Sequence, residues 1–404
     1  MRSVIVSTTY LDPAARGKLR ALAGLGCNLS VAVPARWAAS PRGPSLTATW
    51  GDDGGVRVVP IALRDDHGEA ARWRPGDLRR LLGEFRPDLV QIEAEAWTPA
   101  AATASRCSRR LGIPTVLFAW ESVIRSYPFP TGWRRRRTVA RLQGLIGGNR
   151  LAAGLLAREH PGVPVTVIPQ RGHTPPLEVT RPDGPELAIG FVGRLVPAKG
   201  LDTLLRACVK LLGRWRLTVV GSGPALESLE ALAERLGIAS RITWAAPLPP
   251  EQLPTLWPAV DCLVVPSRST DSWVEAFHPA LLEAMGYGVT VIGTDSGALP
   301  ELIDTAGLVV QEDDVPALTA ALQHLIDSPR ERIRLCQAAR LRVMTEYVDD
   351  AIARRTLDFW AKVVGRRRMS KPGVSDAIVN DWRALGGAPP HQCHQWLRGV
   401  YAER

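Results

Sequence analysis

The chain has 404 residues, with 50 Lys and Arg against 40 Asp and Glu, a formal charge of +10. With 46% hydrophobic and 22% charged residues it is too apolar for wholesale disorder and long enough for two buried cores. No apolar run reaches the roughly 18–20 residues that span a bilayer.

The N-terminal stretch Met1-Arg2-Ser3-Val4-Ile5-Val6-Ser7 is too short for a signal-peptide core. Six scattered cysteines without a CxxC pair point to neither a disulfide framework nor a zinc ribbon, so a reducing cytoplasm is expected. In chain order, β-branched runs at Ser3–Thr8, Asn28–Pro34, Val56–Ala62, Leu89–Glu93, Thr115–Phe118, Leu145–Gly147 and Val165–Ile168 read as strands. Helical patterns at Ala15–Leu25, Gly76–Phe85 and Pro99–Leu111 lie between them. Arg86-Pro87-Asp88 and Gly112-Ile113-Pro114 end helices, as Gly and Pro should. A Pro-rich stretch from Thr174 to Pro185 reads as a linker. Strands resume at Leu187–Val192, Leu217–Val220, Arg241–Trp244, Cys262–Val265, Val289–Ile292 and Leu308–Val310, and Tyr347–Val364 forms a further amphipathic helix.

Repeated strand–helix–strand units with right-handed crossovers predict parallel sheets covered on both faces. The fold expected is therefore α/β, two doubly wound Rossmann-like domains whose strand C-termini face a shared central cleft. The domains are placed at 1–175 and 176–346, with the helix at 347–365. From 366 to 404 a basic, loosely structured tail is expected, with a short helix near Val374–Leu385. Within it His391-Gln392-Cys393-His394 crowds three metal-capable side chains into four residues, a poor tetrahedral site, and no metal is assigned.

The charge is uneven. Residues 1–175 hold 25 Lys and Arg against 13 Asp and Glu, and the remainder holds 25 against 27. That asymmetry points to an anionic partner for the first half. Its densest feature is Trp133-Arg134-Arg135-Arg136-Arg137, just after Tyr127-Pro128-Phe129-Pro130. Aromatics beside arginines suit an anionic membrane surface; a solvated helix start is the equal alternative. Nucleic acid is not expected, since no helix-turn-helix, zinc-finger or RNP-type pattern accompanies the charge.

In the second half, strand Leu187–Val192 runs through Gly193-Arg194-Leu195-Val196-Pro197-Ala198-Lys199-Gly200 into a helix. A strand end, a glycine turn and a helix N-terminus with two cations, Arg194 and Lys199, form a candidate phosphate site. Gly221-Ser222-Gly223-Pro224 follows the next strand, but Leu226 stands where a dinucleotide fingerprint needs its third glycine. The segment from Val265 to Gly286 carries Ser267, Glu275, Phe277, His278 and then Pro279 and Ala280 at a helix start. Glu283 lies about one turn in, so two carboxylates face one site with loop amides between them.

Together these segments resemble the retaining GT-B glycosyltransferases of family 4, the glycosyl transferases of group 1. The resemblance rests on Glu275 and Glu283 as an E-x7-E pair, Gly193-Arg194-Leu195 with Lys199-Gly200, Gly221-Ser222-Gly223-Pro224, Pro266-Ser267, and Glu283-Ala284-Met285 through Gly293-Thr294-Asp295-Ser296-Gly297-Ala298-Leu299-Pro300-Glu301. They occur in the family's order over 187–325. Phe118-Ala119-Trp120-Glu121-Ser122 and Tyr127-Pro128-Phe129-Pro130 extend it to about 1–363.

The resemblance implies transfer of a hexose from a UDP- or GDP-linked sugar, with retained anomeric configuration and no metal or other cofactor, to a glycan, lipid-linked or small-molecule acceptor. It implies that Arg194 and Lys199 neutralise the diphosphate, that Glu283 accepts from ribose hydroxyls, and that Glu275 holds donor-sugar hydroxyls. Gly193, Gly221, Ser222, Gly223, Ser267, Phe277, His278, Pro279 and Ala280 would complete the donor site. The first domain would bind the acceptor, and the helix at 347–365 would cross back to it.

Three positions depart from the family. His278 replaces a glycine, and either narrows the sugar pocket or points away. Trp120-Glu121 replaces His-Asp, so Glu121 either takes over the lost contact or is structural. The first loop lacks paired glycines, leaving Arg16 and Lys18 either to reach phosphate or acceptor or to be solvated. Alternative functions are a nucleotide-sugar hydrolase or epimerase and a non-catalytic binding module. The expected location is cytoplasmic, peripheral on the inner face of the membrane.

Overall fold

The computed structural model describes residues 1–38, 45–64, 71–177, 179 and 186–369. The chain divides into two units, one of Met1–Gly172 with the helix from Asp349, the other of His173–Val348.

The first unit contains β1 (Arg2–Ser7), β2 (Asn28–Pro34), β3 (Arg36–Ala38), β4 (Ser45–Thr47), β5 (Gly51–Asp52), β6 (Val56–Ile61), β7 (Leu89–Glu93), β8 (Thr115–Ala119), β9 (Gly144–Gly147) and β10 (Val165–Val167). Eight of them form one sheet in the order β10-β9-β8-β7-β1-β2-β6-β5, parallel except where β5 runs against β6. β3 and β4 make a separate antiparallel ribbon. These three short strands were not expected: Ser45–Thr47 and Gly51–Asp52 are exposed along their length and carry no alternating apolar signal. In the long strands alternate residues serve opposite faces. Val4 and Val6 of β1 join one core with Val90 and Ile92 of β7, while Ile5 joins the other with Leu89.

The helix Asp349–Met369 covers that second face with Ile352, Ala353, Phe359, Trp360 and Val363. The Trp360 indole donates to Gln91 Oε1 at 2.7 Å. The helix continues to Met369, past the Val364 at which the sequence pattern ends it. Val374–Leu385 and His391–His394 lie outside the described residues.

The second unit holds β11 (Leu187–Val192), β12 (Trp215–Val220), β13 (Ile242–Ala245), β14 (Cys262–Val265), β15 (Thr290–Thr294) and β16 (Leu308–Val310). All are parallel, in the order β13-β12-β11-β14-β15-β16. The order reverses between β11 and β14, as it does between β1 and β7 in the first sheet. Such switch points leave a crevice at the strand C-termini where ligands bind.

The units meet along the chain at Gly172–His173 rather than at 175–176. The reason is packing: a Cβ at Gly286 would lie 3.0 Å from the His173 ring and 3.1 Å from Pro175 Cβ. Arg340 Nη2 also donates to the Pro176 and Leu177 carbonyls at 2.6 and 2.8 Å. These residues are thereby part of the second unit. No helix among the described residues is long and apolar enough to cross a membrane, and the five described cysteines form no disulfide with one another.

Candidate active site

The switch point of the second sheet is built by loops that need glycine. The loop after β11 is sewn to the loop after β12: Leu195 N donates to Ser222 O at 2.8 Å and Ala225 N to Leu195 O at 3.0 Å. A Cβ at Gly221 would sit 1.9 Å from Gly193 O, and one at Gly223 would sit 2.2 Å from Leu195 O. Close approach of these two backbones therefore accounts for both glycines. Ser222 is exposed at the turn between them.

Gly200 has φ +66°, and a Cβ there would lie 1.8 Å from Pro266 O just beyond β14. Only glycine lets the helix Leu201–Cys208 start this close to the neighbouring strand. Gly200→Ala is expected to cost at least about 1–3 kcal/mol in strain and displacement, read as a lowered urea midpoint. An unchanged midpoint would contradict the close approach.

That approach brings Lys199 to Glu275. The Lys199 ammonium donates to Glu275 Oε2, and Ser267 Oγ donates to the same oxygen at 2.8 Å. Trp273 lies under the ammonium, 5.1 Å from Nζ to the ring centroid, a favourable cation–π placement. The Glu275 side chain is 5% exposed. Its carbonyl accepts from Ala298 N at 2.7 Å, and a Cβ at Gly297, with φ +57°, would strike that carbonyl at 2.3 Å. The Gly293–Pro300 motif thus pins the catalytic candidate's backbone, while Thr294 Oγ1 donates to Ser267 O at 2.5 Å.

Three residues on, His278 caps the helix Pro279–Gly286, its Nδ1 accepting from Leu281 N at 3.1 Å. A ring that accepts at Nδ1 carries its proton on Nε2 when neutral. Burial holds its pKa down at about 4 despite the nearby Glu275 carboxylate, so it is neutral at physiological pH. Pro279 is exposed in the first turn, Ala280 is core, and Phe277 packs beside that core.

Glu283 is half-buried and accepts from the Trp257 indole at 2.8 Å. Burial raises its pKa and the indole opposes the rise. Arg194 is exposed and forms no ion pair among the described residues, so the two cations of the loop are not equivalent: Lys199 is committed inward and Arg194 faces solvent. Trp257 and Trp273 are not singled out by the sequence: each reaches the site through a long-range contact, with Glu283 and with Lys199, that no spacing announces.

The corresponding switch point of the first sheet is filled by the protein itself. Lys18 Nζ pairs with Glu93 at 3.0 Å, with 1% and 0% of the two side chains exposed. Tyr10, Gln91 and Gln170 donate to the same carboxylate at 3.0, 2.8 and 2.9 Å. Arg16 is buried too, donating to the Tyr10 and Leu11 carbonyls and to Asp53. Both open readings, a reach toward phosphate or acceptor and a solvated helix face, are corrected here: these two cations are structural.

Glu121 is likewise held by contacts within the first unit. Its carboxylate accepts from the Tyr127 hydroxyl and lies 3.5 Å from Arg125, anchoring the Tyr-Pro-Phe-Pro element. Trp120 packs edge-on to Phe118 at 5.0 Å and donates to Gln170 Oε1 at 3.2 Å. Beneath them lies Glu95, which sequence did not single out, accepting from the Trp120 and Glu121 amides at 2.7 and 3.1 Å.

Burial pushes Glu95 up to about 7 from 4.5, the amides opposing and Glu121 adding to the rise. A carboxyl raised in the folded state favours folding below its unfolded value, and that contribution is lost as pH rises through the folded one. The gap corresponds to about 3 kcal/mol. Glu95→Gln should therefore gain stability relative to the parent between pH 5 and pH 8, measured by urea unfolding. Parallel pH curves for the two proteins would refute this.

The arginine run divides. Arg134 donates to Trp97 O at 2.7 Å, and Arg135 pairs with Glu159 over the Tyr127 ring. Arg136 and Arg137 are exposed, Arg137 lying 4.5 Å above the Trp133 ring. Arg134 and Arg135 are thus tied into the fold, unlike a run wholly presented to a surface. No group of three His, Cys, Asp or Glu among the described residues is placed to hold a metal ion.

Residues 178–342 match the model of the family glycosyl transferases group 1. A GDP-mannose-dependent alpha-(1-6)-phosphatidylinositol monomannoside mannosyltransferase of Mycolicibacterium smegmatis is 36% identical over 156 residues, 37% of this chain and 41% of that one. A D-inositol 3-phosphate glycosyltransferase of Corynebacterium urealyticum is 36% identical over 212 residues, 50% of this chain and 47% of its own. The matches thus span less than half the length of these curated relatives. Among solved structures, HepE from Anabaena in complex with UDP superposes at TM-score 0.67 with 15% identity, covering 90% of this chain and 100% of that one. Sucrose-phosphate synthase from Thermosynechococcus elongatus gives 0.65 with 18% identity, covering 90% and 99%. Residues 178–342 are thus similar to the group 1 glycosyl transferases, and the two doubly wound units have the GT-B fold.

Proposed function

We propose that the second unit binds a nucleotide-sugar and that the chain transfers its hexose, with retained anomeric configuration, to an acceptor held by the first unit. The observation that carries this reading is the convergence of Lys199 and Ser267 on Glu275 at the switch point between β11 and β14, where ligands of such sheets bind. In the proposed reaction the bond from the anomeric carbon to the diphosphate breaks, one to the acceptor oxygen forms, and the acceptor hydroxyl's proton passes to the departing diphosphate. Negative charge grows on the leaving diphosphate, and preorganised cations stabilise it. Lys199 and Arg194 supply that charge, so the proposal assigns no metal.

A diphosphate within reach of Lys199 competes with Glu275 for the ammonium, releasing a carboxylate oxygen to the sugar hydroxyls. Glu283 would hold the ribose, Gly193, Gly221, Ser222, Gly223 and Ser267 the phosphates, and Phe277, His278, Pro279 and Ala280 the sugar side. The named relatives support a GDP- or UDP-linked hexose. Both curated relatives have phosphate-bearing inositol compounds in their names. With the basic first half, this favours an acceptor carrying phosphate at the inner face of a membrane.

The test is thermal unfolding of the full chain with UDP, GDP and their hexose conjugates. A ligand at 100 times its Kd adds about 2.7 kcal/mol. One nucleotide series should raise Tm, and Arg194→Gln should weaken that rise without lowering the ligand-free Tm. No rise with any of them would overturn the donor site. Free hexose or an epimer formed without acceptor would instead favour a hydrolase or epimerase.

A further inference from the structure

The first unit's charge excess is concentrated on two adjacent helices. Pro99–Arg110 and Thr131–Val139 hold seven arginines and no Asp or Glu. Between residues 96 and 142 there are nine arginines and one carboxylate, Glu121, which is already engaged by Tyr127 and Arg125.

Arg106, Arg109, Arg110, Arg136 and Arg137 are exposed, with Arg141 half-buried at their edge, and none of the six forms an ion pair among the described residues. They form one field: Arg141 has its proton affinity lowered by burial and then by the charges of Arg106, Arg109 and Arg137. A fold tolerates such mutual repulsion at a modest cost when counter-charge comes from outside. Arginines in the last turns also favour the helix dipoles, which explains Arg109, Arg110, Arg136 and Arg137 in part. It does not explain Arg106 and Arg141, nor the absence of any carboxylate.

Beside this field stand two exposed apolar side chains, Phe129 at 84% and Trp133 at 53% exposure, the latter with the Arg137 guanidinium over one face of its ring. The networks of Glu95, Glu121, Tyr127, Arg134 and Arg135 hold that segment against the unit.

We propose that this face, Arg106, Arg109, Arg136, Arg137 and Arg141 with Phe129 and Trp133, docks the protein on a bilayer of anionic lipid. Guanidinium groups pair with the phosphates while the rings occupy the headgroup boundary, as interfacial aromatics do. A lipid surface is favoured over nucleic acid because no RNP-type or other nucleic-acid pattern accompanies the charge, and over a non-aromatic polyanion because the exposed rings gain only at a headgroup boundary. This goes beyond the proposed sugar transfer, and vesicle binding is read without any donor or acceptor, so failure of either is seen separately.

The test is co-sedimentation of the full chain with phosphatidylcholine vesicles containing or lacking phosphatidylglycerol. Each basic residue at such a surface contributes about 1 kcal/mol, roughly fivefold in partitioning. Binding should require the anionic lipid, and the variant R106Q/R109Q/R137Q/R141Q should bind at least ~100-fold less. The variant R158Q/R214Q/R235Q/R330Q, with the same charge loss at exposed sites elsewhere, should lose much less. Phe129→Ala with Trp133→Ala should weaken binding at high salt as well as low. Equal losses in both charge variants, no binding to anionic vesicles, or indifference to the aromatic pair would each overturn the proposal; the last would point to a soluble polyanion. Unchanged urea midpoints in the variants show that the fold survives.

Discussion

Replacing Glu275 by Gln is expected to lower kcat for sugar transfer by about 10²–10³-fold while changing KM for the donor little. Loss of one preorganised group aimed at the reacting centre typically has that effect, about 3–4 kcal/mol. The amide can still accept from Ser267 at the position now 2.8 Å away, so the loop keeps its shape. Glu275→Ala is a poorer probe. It removes the oxygen that accepts from both Lys199 and Ser267, whereas the Gln carbonyl keeps it, and a largely buried ammonium with no acceptor destabilises the fold in its own right. Steady-state kinetics with urea unfolding of both variants separates the two effects. A Gln variant with parental kcat would remove Glu275 from the reaction.

In the first unit the large effect should be on stability. Lys18→Met leaves the buried Glu93 carboxylate without the cation it pairs with and is expected to cost about 3–5 kcal/mol. That is a large share of the roughly 5–15 kcal/mol of a typical domain. Adding Glu93→Gln should restore much of the loss, because a neutral amide suits a site that already offers donors from Tyr10, Gln91 and Gln170. Urea unfolding of the single and double variants measures the coupling. A Lys18→Met loss below about 1 kcal/mol would mean that the pair does not hold this switch point together.

These two pairs show what the sequence reveals and what it hides. The buried strands were legible because Asn28–Pro34, Leu89–Glu93, Leu187–Val192 and Cys262–Val265 are apolar runs bounded by turns, and the structure has them with those bounds. β3, β4 and β5 were not, being short and largely exposed. Candidate donor residues were legible as types at strand ends, but not their partners. Lys18 and Lys199 look alike in sequence, each near the start of a helix after the first strand of its unit. One meets Glu93 across 75 positions and the other meets Glu275 across 76.

The difference between them is accessibility. Lys18 and Glu93 are closed off by Tyr10, Gln91 and Gln170, with 1% and 0% of their side chains exposed, whereas 12% of the Lys199 side chain stays open beside the Trp273 indole. A pair of the first kind is a rivet. A pair of the second kind can exchange partners with an incoming anion. The glycines are a related case: Gly221 and Gly223 stand out in sequence as a turn after a strand, and the structure shows that the neighbouring loop's backbone requires both.

The most direct measurement is transfer of label from nucleotide-sugars carrying a radiolabelled hexose to an extract of membrane lipids and glycans, using the full chain. The predicted result is label in a new glycoside from one donor, lost in the Glu275→Gln variant and unchanged in Arg158→Gln. Label that stays in every nucleotide-sugar, or appears only as free hexose with and without extract, would contradict sugar transfer.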